Sequence, residues 1–320
     1  MHVLTAELDQ LNLPAEWAHA DSVLTVGAFD GIHLGHQALI QQSIDQARAT
    51  SRVAGAVTFD PHPAAVLYPR HTPQVLTSLQ VKLDLMRAAG LDFVVVLPFT
   101  PQLAATSAPV FVQHLCTRLH MRELCVGPDF ALGSDRSGDR ETLRALGDAL
   151  GFAVCDIIPY LTRDGQRVSS SKIRALLQEG EVTEAAALLG RWYSLRARVV
   201  HGAHRGRKLG FPTANLEVCD DCLVPAYGVY ATTVTLEGKR YGAATNVGVR
   251  PSFDNGKPSV ETYLLDFSQD LYGRKLDLAF VRRLRPEMRF ENVQALIEQM
   301  GDDVAQTRRV LREAERESYV

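Results

Sequence analysis

Residues 23–36, VLTVGAFDGIHLGH, decide the fold. The apolar, β-branched run VLTVGAF (23–29) reads as a strand and the glycine-bounded GAFDG as a tight turn. The residues after His33 read as a helix with Ile40, Ile44 and Ala47 on one face. Gly27 and Gly31 allow close backbone approach, and a helix that starts directly after such a turn offers unpaired N–H groups and a partial positive charge. That is the outline of a phosphate site. His33 and His36 stand at i and i+3, so their imidazoles share a helical face and can address one phosphate group. Spacing alone leaves three roles open to them: capping and packing at the helix start, a metal pair, or stabilising the charge that builds on a phosphorus under attack.

The same texture recurs downstream. VAGAVTF (53–59), DFVVVLPF (92–99), ELCVG (123–127) and FAVCDII (152–158) are nearly continuous apolar runs, as expected of strands covered on both faces, and helical patterns over 81–88, 110–119 and 141–150 separate them. This alternation predicts a parallel, doubly wound, Rossmann-like sheet, in which ligands bind at the carboxyl ends of the strands, where GAFDGIHLGH falls. After a helical stretch over 171–189 the pattern changes. SLRARVVHG, GVYATTVTL, RYGAATNVG, SVETYLLDF and KLDLAFVRRL follow one another with turn signals between them, which predicts a small antiparallel β-barrel or sandwich. Val293, Leu296, Ile297, Met300, Val304 and Leu311 then mark a terminal helix. The expected domains are 1–188 and 189–320.

Composition sets outer bounds. A chain of 320 residues exceeds what one hydrophobic core usually serves, in keeping with two domains. Its formal net charge of -3 gives no global attraction to nucleic acid or membrane, so any anionic ligand must be held by local groups. The N-terminal MHVLTAELDQLNLP lacks a basic start followed by an apolar core, and no run approaches a membrane span. A soluble, cytoplasmic protein is expected, a monomer or weak homo-oligomer without nucleic-acid or membrane partners. Of the five cysteines, Cys116, Cys125 and Cys155 sit in apolar runs that suit reduced thiols. Cys219 and Cys222 form a lone CxxC, read as a solvent-facing loop because no second pair stands at zinc-site spacing.

Two further stretches carry chemistry. VSSSKIRALL (168–177) places three serines before a helix that has Lys172 and Arg174 in its first turn, a set of hydroxyls and cations suited to polyphosphate or to an ordinary cap. In HGAHRGRKLGFPTANL (201–216), Gly202, Gly206 and Gly210 give a flexible loop, His204, Arg205, Arg207 and Lys208 make it cationic, and PTAN closes it with a hydroxyl and an amide. Phosphate with Mg2+ is the natural guest. The stretch is neither a Walker A motif nor a dinucleotide GxGxxG.

Taken together, GxFDGxHxGH and the later VSSSKIR resemble the HxGH nucleotidyltransferase superfamily, specifically the FMN adenylyltransferase half of bacterial bifunctional riboflavin kinase/FAD synthetases. TFDPHP (58–63) and VGPDFALGSDRSGD (126–139) extend the likeness, although Ala131 and Leu132 replace the longer or aromatic residues usual there. The resemblance implies an ATP site formed by Gly27, Phe29, Asp30, Gly31, His33, His36, Asp129, Ser170, Ser171 and Arg174. It implies a flavin site at Phe59, Pro61, His62, Pro63 and Phe130, and direct attack of an FMN phosphate oxygen on the ATP α-phosphorus.

GRKLGFPTANL resembles the riboflavin kinase signature, and NVGVRPSF (246–253), ETYLLDF (261–267) and the following LYG continue it. This implies ATP contacts from Gly206, Arg207, Gly210, Thr213 and Asn215, with Thr213 and Asn215 as oxygen ligands of the sort Mg2+ accepts. Glu261 is implied as the base, and Arg289 and Phe290 as flavin contacts. Tyr263 stands where the family usually has histidine, so nothing carries over to it. The expected ligands are ATP, Mg2+, and riboflavin, FMN and FAD as substrates and products. Two other readings share these motifs: a chain retaining one of the two activities, and a flavin-binding regulatory protein without turnover.

Overall fold

Every apolar run of the first half forms a strand, and the N-terminus adds one more. The computed structural model describes residues 1–128, 130–156, 165, 167–202, 206, 209–249 and 258–317. Within the first unit, Met1–Ser169, strands β1 (His2–Thr5), β2 (Ser22–Val26), β3 (Val53–Asp60), β4 (Phe93–Pro98), β5 (Met121–Val126) and β6 (Ala153–Asp156) make a six-stranded sheet in the order β1-β4-β3-β2-β5-β6. Each neighbouring pair is parallel. The chain lays down β2, moves outward through β3 and β4, then crosses back to β5 and β6, so a topological switch lies between β2 and β5. The short HVLT of β1 is largely exposed at the sheet edge and carries no continuous apolar signal.

Alternation along the strands explains the three layers. Val23, Ala56 and Val94 point to the face covered by α1 (Leu34–Ala49) and α3 (Leu79–Ala89), where they meet Ile40, Ala47 and Met86. Leu24, Val57 and Val95 point to the opposite face, under α5 (Ala108–Arg118) and α6 (Arg140–Leu150), where they meet Phe111, Leu115 and Leu143. Two short helices, α2 (Pro63–Leu67) and α4 (Pro101–Ala104), follow the ends of β3 and β4.

The second unit spans Ser170–Val320. It opens with α7 (Ser170–Glu179) and α8 (Val182–Leu189). Strands β7 (Tyr193–Val200), β8 (Ala214–Val218), β9 (Gly228–Leu236), β10 (Lys239–Val249), β11 (Pro258–Leu264) and β12 (Lys275–Arg285) follow, then α9 (Val293–Glu317). The strands close into a barrel in the order β10-β11-β8-β7-β12-β9. Helices α7 and α8 group with this barrel, so the compact units divide upstream of the texture change at 188/189. The tie is specific: Ala226 N–H donates to Leu177 O at 2.9 Å, and the Arg283 guanidinium donates to Glu179 O at 3.2 Å and Tyr227 O at 2.6 Å. Among the described residues no helix is long and apolar enough to cross a membrane.

Cys116, Cys125 and Cys155 are free thiols, as their apolar surroundings led one to expect. Cys219 and Cys222 are joined in a disulfide, and Cys222 is buried beside the fully buried Leu223. The solvent-facing reading of this loop is therefore corrected for its second half. Leu223 draws the turn inward, and its carbonyl accepts a hydrogen bond from the Tyr193 hydroxyl.

Inside the barrel a row of fully buried hydroxyls crosses three strands. Thr262 and Thr245 lie 2.8 Å apart, Thr245 and Thr232 2.7 Å, and Thr232 donates to Ala243 O at 2.9 Å. Because the last bond goes to a carbonyl, a consistent ladder runs with Thr262 donating to Thr245 and Thr245 to Thr232. Substituting Thr245→Val leaves the buried Thr262 hydroxyl without its acceptor and should destabilise the barrel by about 1–3 kcal/mol. Urea denaturation at unchanged m-value is the measurement.

Candidate active sites

At the carboxyl edge of the parallel sheet, the loop after β2 turns sharply. Phe29, Gly31 and Ile32 have φ of 48°, 81° and 40°, a left-handed path that only glycine takes readily. Phe29 and Ile32 are driven into the α1/α3 face of the core, at 1% and 2% exposure. Between them, the buried Asp30 carboxylate accepts N–H bonds from Leu76 at 2.9 and 3.0 Å and from Thr77 at 3.2 Å. Thr77 Oγ1 in turn accepts the Gly31 N–H at 3.1 Å. Asp30 and Thr77 thus fasten the loop to the segment before α3.

His33 is the N-cap of α1, and its Nδ1 accepts the His36 N–H at 3.2 Å. The neutral ring then carries its proton on Nε2, as a donor. The two imidazoles stack, with centroids 3.7 Å apart and planes 15° from parallel, and the Phe29 ring meets His36 edge-on at 5.3 Å. Gly35 makes the stack fit: a Cβ there would lie 3.2 Å from Cε1 and Nδ1 of His33. Burial is the main cause that pushes the His36 pKa well below its usual 6.5, with His33 and Lys82 adding to it. Its Nδ1 is buried with no hydrogen-bond partner among the described residues. No third histidine, cysteine or carboxylate joins the pair in a metal-binding group among the described residues. Capping by His33 and stacking of His36 therefore coexist in one pair.

The other first-unit candidates cluster at the same edge. Gly27 N–H bonds Val57 O at 3.0 Å, linking the turn to β3. At the end of β3, Phe59 stands edge-on to Phe99 at 5.3 Å, Pro61 follows, and His62 caps α2 through Nδ1 (Ala64 N–H, 3.1 Å) ahead of Pro63. Phe130, after β5, is half-buried against the core. The Leu132 side chain is buried and its backbone pairs with Gly138, so the departure at that position falls on the core side of the loop. Asp129 lies outside the described residues. Ser170, Ser171 and Arg174 occupy the first turn of α7, in the second unit.

Pattern reading passed over Lys82. It sits on the buried face of α3 with Leu83 and Met86, at 5% exposure, and its Nζ donates to Ala28 O at 2.8 Å and to Thr58 Oγ1 at 3.4 Å. A lysine within the apolar stripe of an amphipathic helix was the available signal. Burial lowers its pKa, against the opposing pull of Asp30 and Asp60.

On the barrel, strand register sets a second constellation. Asn246 of β10, Glu261 of β11 and Asn215 of β8 are direct cross-strand partners, so they form one row. Thr213 Oγ1, just before β8, donates to Glu261 Oε2 at 3.4 Å. Gly202 leaves room for the row, since a Cβ there would lie 2.0 Å from the Asn215 amide nitrogen. Two cavities meet here. One, of about 360 Å³, has walls of Phe211, Tyr263, Phe290 and Met300, with Glu261 and Asn246 at its polar side. The other, of about 620 Å³, is bordered by Gln269, Asp270 and Tyr272. Among the described residues, Thr213 alone lines both.

Gly206 borders the apolar cavity and accepts N–H bonds from Leu209 and Phe211, while Gly210 has a φ of 86° in the turn between them. Arg207 lies outside the described residues. Of the expected flavin contacts, Phe290 lines the cavity, whereas Arg289 is exposed and does not. Arg285 takes the cationic place instead: it pairs with Asp303 through bonds of 2.9 and 2.7 Å and lies 5.9 Å from the Phe290 ring centre. Asn246, Tyr263, Arg285 and Asp303 were the residues missed here.

A glycine turn with paired imidazoles at a parallel-sheet switch point, and a hydroxyl–carboxylate row beside a barrel cavity, are two separate arrangements of the kind that suits transfer of phosphate groups. The family model for FAD synthetase matches residues 15–172 and that for riboflavin kinase residues 189–311. The bifunctional riboflavin kinase/FMN adenylyltransferase of Listeria monocytogenes is 36% identical over 92% of this chain and 93% of its own, and that of Pseudomonas fluorescens 37% over 91% and 93%. A crystal structure from Streptococcus pneumoniae, described as a macrolide-efflux protein, superposes with a TM-score of 0.87 at 30% identity, covering 96% of this chain and 99% of that one. The chain belongs to the bifunctional riboflavin kinase/FMN adenylyltransferase family.

His36 gives the first site a testable pH signature. Its folded pKa is depressed, so between that value and 6.5 the unfolded chain binds more protons than the folded one. Its contribution is neutral above pH 6.5 and turns destabilising as pH falls below it. Thermal stability of the first unit should therefore fall on acidification below about 6.5, and His36→Gln should flatten that part of the profile.

Proposed function

We propose that the barrel unit phosphorylates riboflavin to FMN and that the parallel-sheet unit adenylylates FMN to FAD, both with ATP. The observation that carries this reading is the pairing of the two family matches, over 15–172 and 189–311, in one chain that bears a separate polar constellation in each. The efflux description of the Streptococcus pneumoniae structure stays with that protein.

In the barrel, the apolar cavity with Phe211, Tyr263 and Phe290 suits a flavin ring, and the wider, more polar cavity suits a nucleotide. Thr213 lines both, which makes it the point where the ribityl hydroxyl and the γ-phosphate meet. Glu261, hydrogen-bonded to Thr213, orients that hydroxyl and takes its proton as the oxygen attacks phosphorus; ADP leaves. The Thr213 hydroxyl and Asn215 amide are hard oxygen donors beside the Glu261 carboxylate, a set that fits Mg2+, which when bound draws phosphate oxygens together and offsets their charge.

In the first unit, an FMN phosphate oxygen attacks the ATP α-phosphorus and pyrophosphate departs. No side-chain nucleophile is needed. His33 donates from Nε2, and His36, kept neutral by burial, stacks against it. Directional donors aimed where charge develops stabilise the transition state more than the ground state. Phe59, His62 and Phe130 supply the flavin-facing wall.

Incubation of the purified chain with riboflavin, ATP and Mg2+, followed by chromatography, tests the reading; the absence of both FMN and FAD would sink it. Glu261→Gln should lower FMN formation by about 10²–10⁴-fold and leave conversion of supplied FMN to FAD intact. His36→Ala should do the reverse, lowering FAD formation by about 10²–10³-fold. Loss of both activities in either variant contradicts the division of labour.

A further inference from the structure

We propose that Lys82 is a positioning residue of the adenylyl-transfer site, a buried cation that holds the loop from Ala28 to His33 in its left-handed path from beneath. The inference rests on the reading of the first unit as the adenylylating one. Lysine is almost never fully buried unless its charge is compensated, and an ammonium removed from water demands strong acceptors. Lys82 finds them at two fixed points. Ala28 O, at 2.8 Å, is the last carbonyl before the three left-handed residues, and Thr58 Oγ1, at 3.4 Å, belongs to β3. The Thr58 hydroxyl also donates to Ala28 O at 3.2 Å, so carbonyl, hydroxyl and ammonium form a closed triangle linking α3, β3 and the loop.

This arrangement fixes one end of the strained turn, while Asp30 and Thr77 fix its middle. The other end is the His33 cap. With the Ala28 carbonyl free to rotate, the turn would lose the anchor that aims α1 and its imidazole pair at the switch point. Lys82 also acts through space. The charged groups it faces are Asp30 from the loop and Asp60 from the end of β3, and its own charge adds to the burial that disfavours a proton on His36. Position and protonation state of His36 therefore share one support.

The test uses the full chain, Lys82→Met and Thr58→Val, with riboflavin phosphorylation by the second unit as internal control. Lys82→Met should lower kcat for FAD formation from FMN by about 10–100-fold, the loss expected of a misplaced but intact donor, while FMN formation stays at wild-type rate. The acidic limb of its pH profile should move to higher pH, because His36 regains a proton more easily. Thr58→Val, which keeps the charge and removes one acceptor, should shift both quantities in the same direction by less. His36 titration followed by NMR reads the same coupling in a chain of any activity, so a wild type that makes no FAD would overturn the functional reading without deciding this one. A folded Lys82→Met with unchanged FAD formation and an unmoved His36 titration overturns the proposal. Should Lys82→Met fail to fold, wild-type behaviour of Thr58→Val in rate and titration overturns it equally.

Discussion

The loop between β2 and α1 follows a path that an L-polypeptide resists. Phe29 and Ile32, both non-glycine, sit at positive φ on either side of Asp30 and Gly31. Such conformations cost about 1–3 kcal/mol each. They persist because the same two residues bury large apolar side chains, each contributing roughly 1.5–3 kcal/mol, and because the Asp30 carboxylate gathers the Leu76 and Thr77 amides. Without that bracket α1 would not begin where it does. With it, His33 caps the helix and stacks on His36. The site is thus a by-product of core packing on the α1/α3 face as much as of the loop's own sequence.

A different constraint governs the barrel. Strand periodicity of two puts Val260, Thr262 and Leu264 inside and leaves Glu261 and Tyr263 on the outer face, and it does the same with Ala243, Thr245 and Val247 against Ala244 and Asn246. The threonine ladder pins this register, since a slip of one residue would bring Glu261 into the barrel and expel the hydroxyls. A polar interior feature therefore determines which residues face the cavities. Its contribution to specificity of register exceeds its small net contribution to stability, because each hydroxyl that misses its neighbour is left unsatisfied in a dry interior.

Much of this was legible in the sequence, and the failures have physical causes. The buried parallel strands announced themselves because both faces are covered, so apolar residues run without interruption from Phe93 to Leu97, and Thr25 alone breaks the run from Val23 to Val26. β1 and β8 were missed because one is a short exposed edge and the other is written in the polar residues of a binding motif, where Asn215 hides a strand position. The end of α8 at Leu189 matched the texture boundary. Periodicity alone could not show that α7 and α8 are tied to the barrel through Leu177 and Glu179, since a helix looks the same whichever neighbour it packs on. Within the sites, the residues that touch a loop from another element stayed invisible. Lys82, Thr77 and Asp303 are brought in by tertiary structure, and none lies inside the pattern it supports, whereas Asn246 opens the quoted NVGVRPSF.

The apolar stripe of α9 shows how site and core can be confused. From sequence, Val293, Leu296, Ile297, Met300, Val304 and Leu311 mark a helix at helical spacing, and the spacing does not say what covers that face. In the fold that face divides. Its C-terminal part, with Val310, Leu311 and Ala314, packs on Ala231, Leu265 and Val281 of the barrel. Leu296, Met300 and Val304 instead wall the cavity beside Glu261, and Val293 remains 59% exposed. Hydrophobic periodicity reports only that a surface avoids water, not whether protein or ligand covers it. The distinction lies in the polar residues set among the apolar ones: Asp303, one position before Val304, pairs with Arg285 on the cavity wall at 2.7 Å, and Gln299 donates to the same carboxylate at 3.1 Å. A core stripe has no use for a buried ion pair, whereas an apolar ligand pocket needs a few fixed polar groups to set its guest's orientation, and the interruption at Asp303 is where that requirement surfaces in the helix.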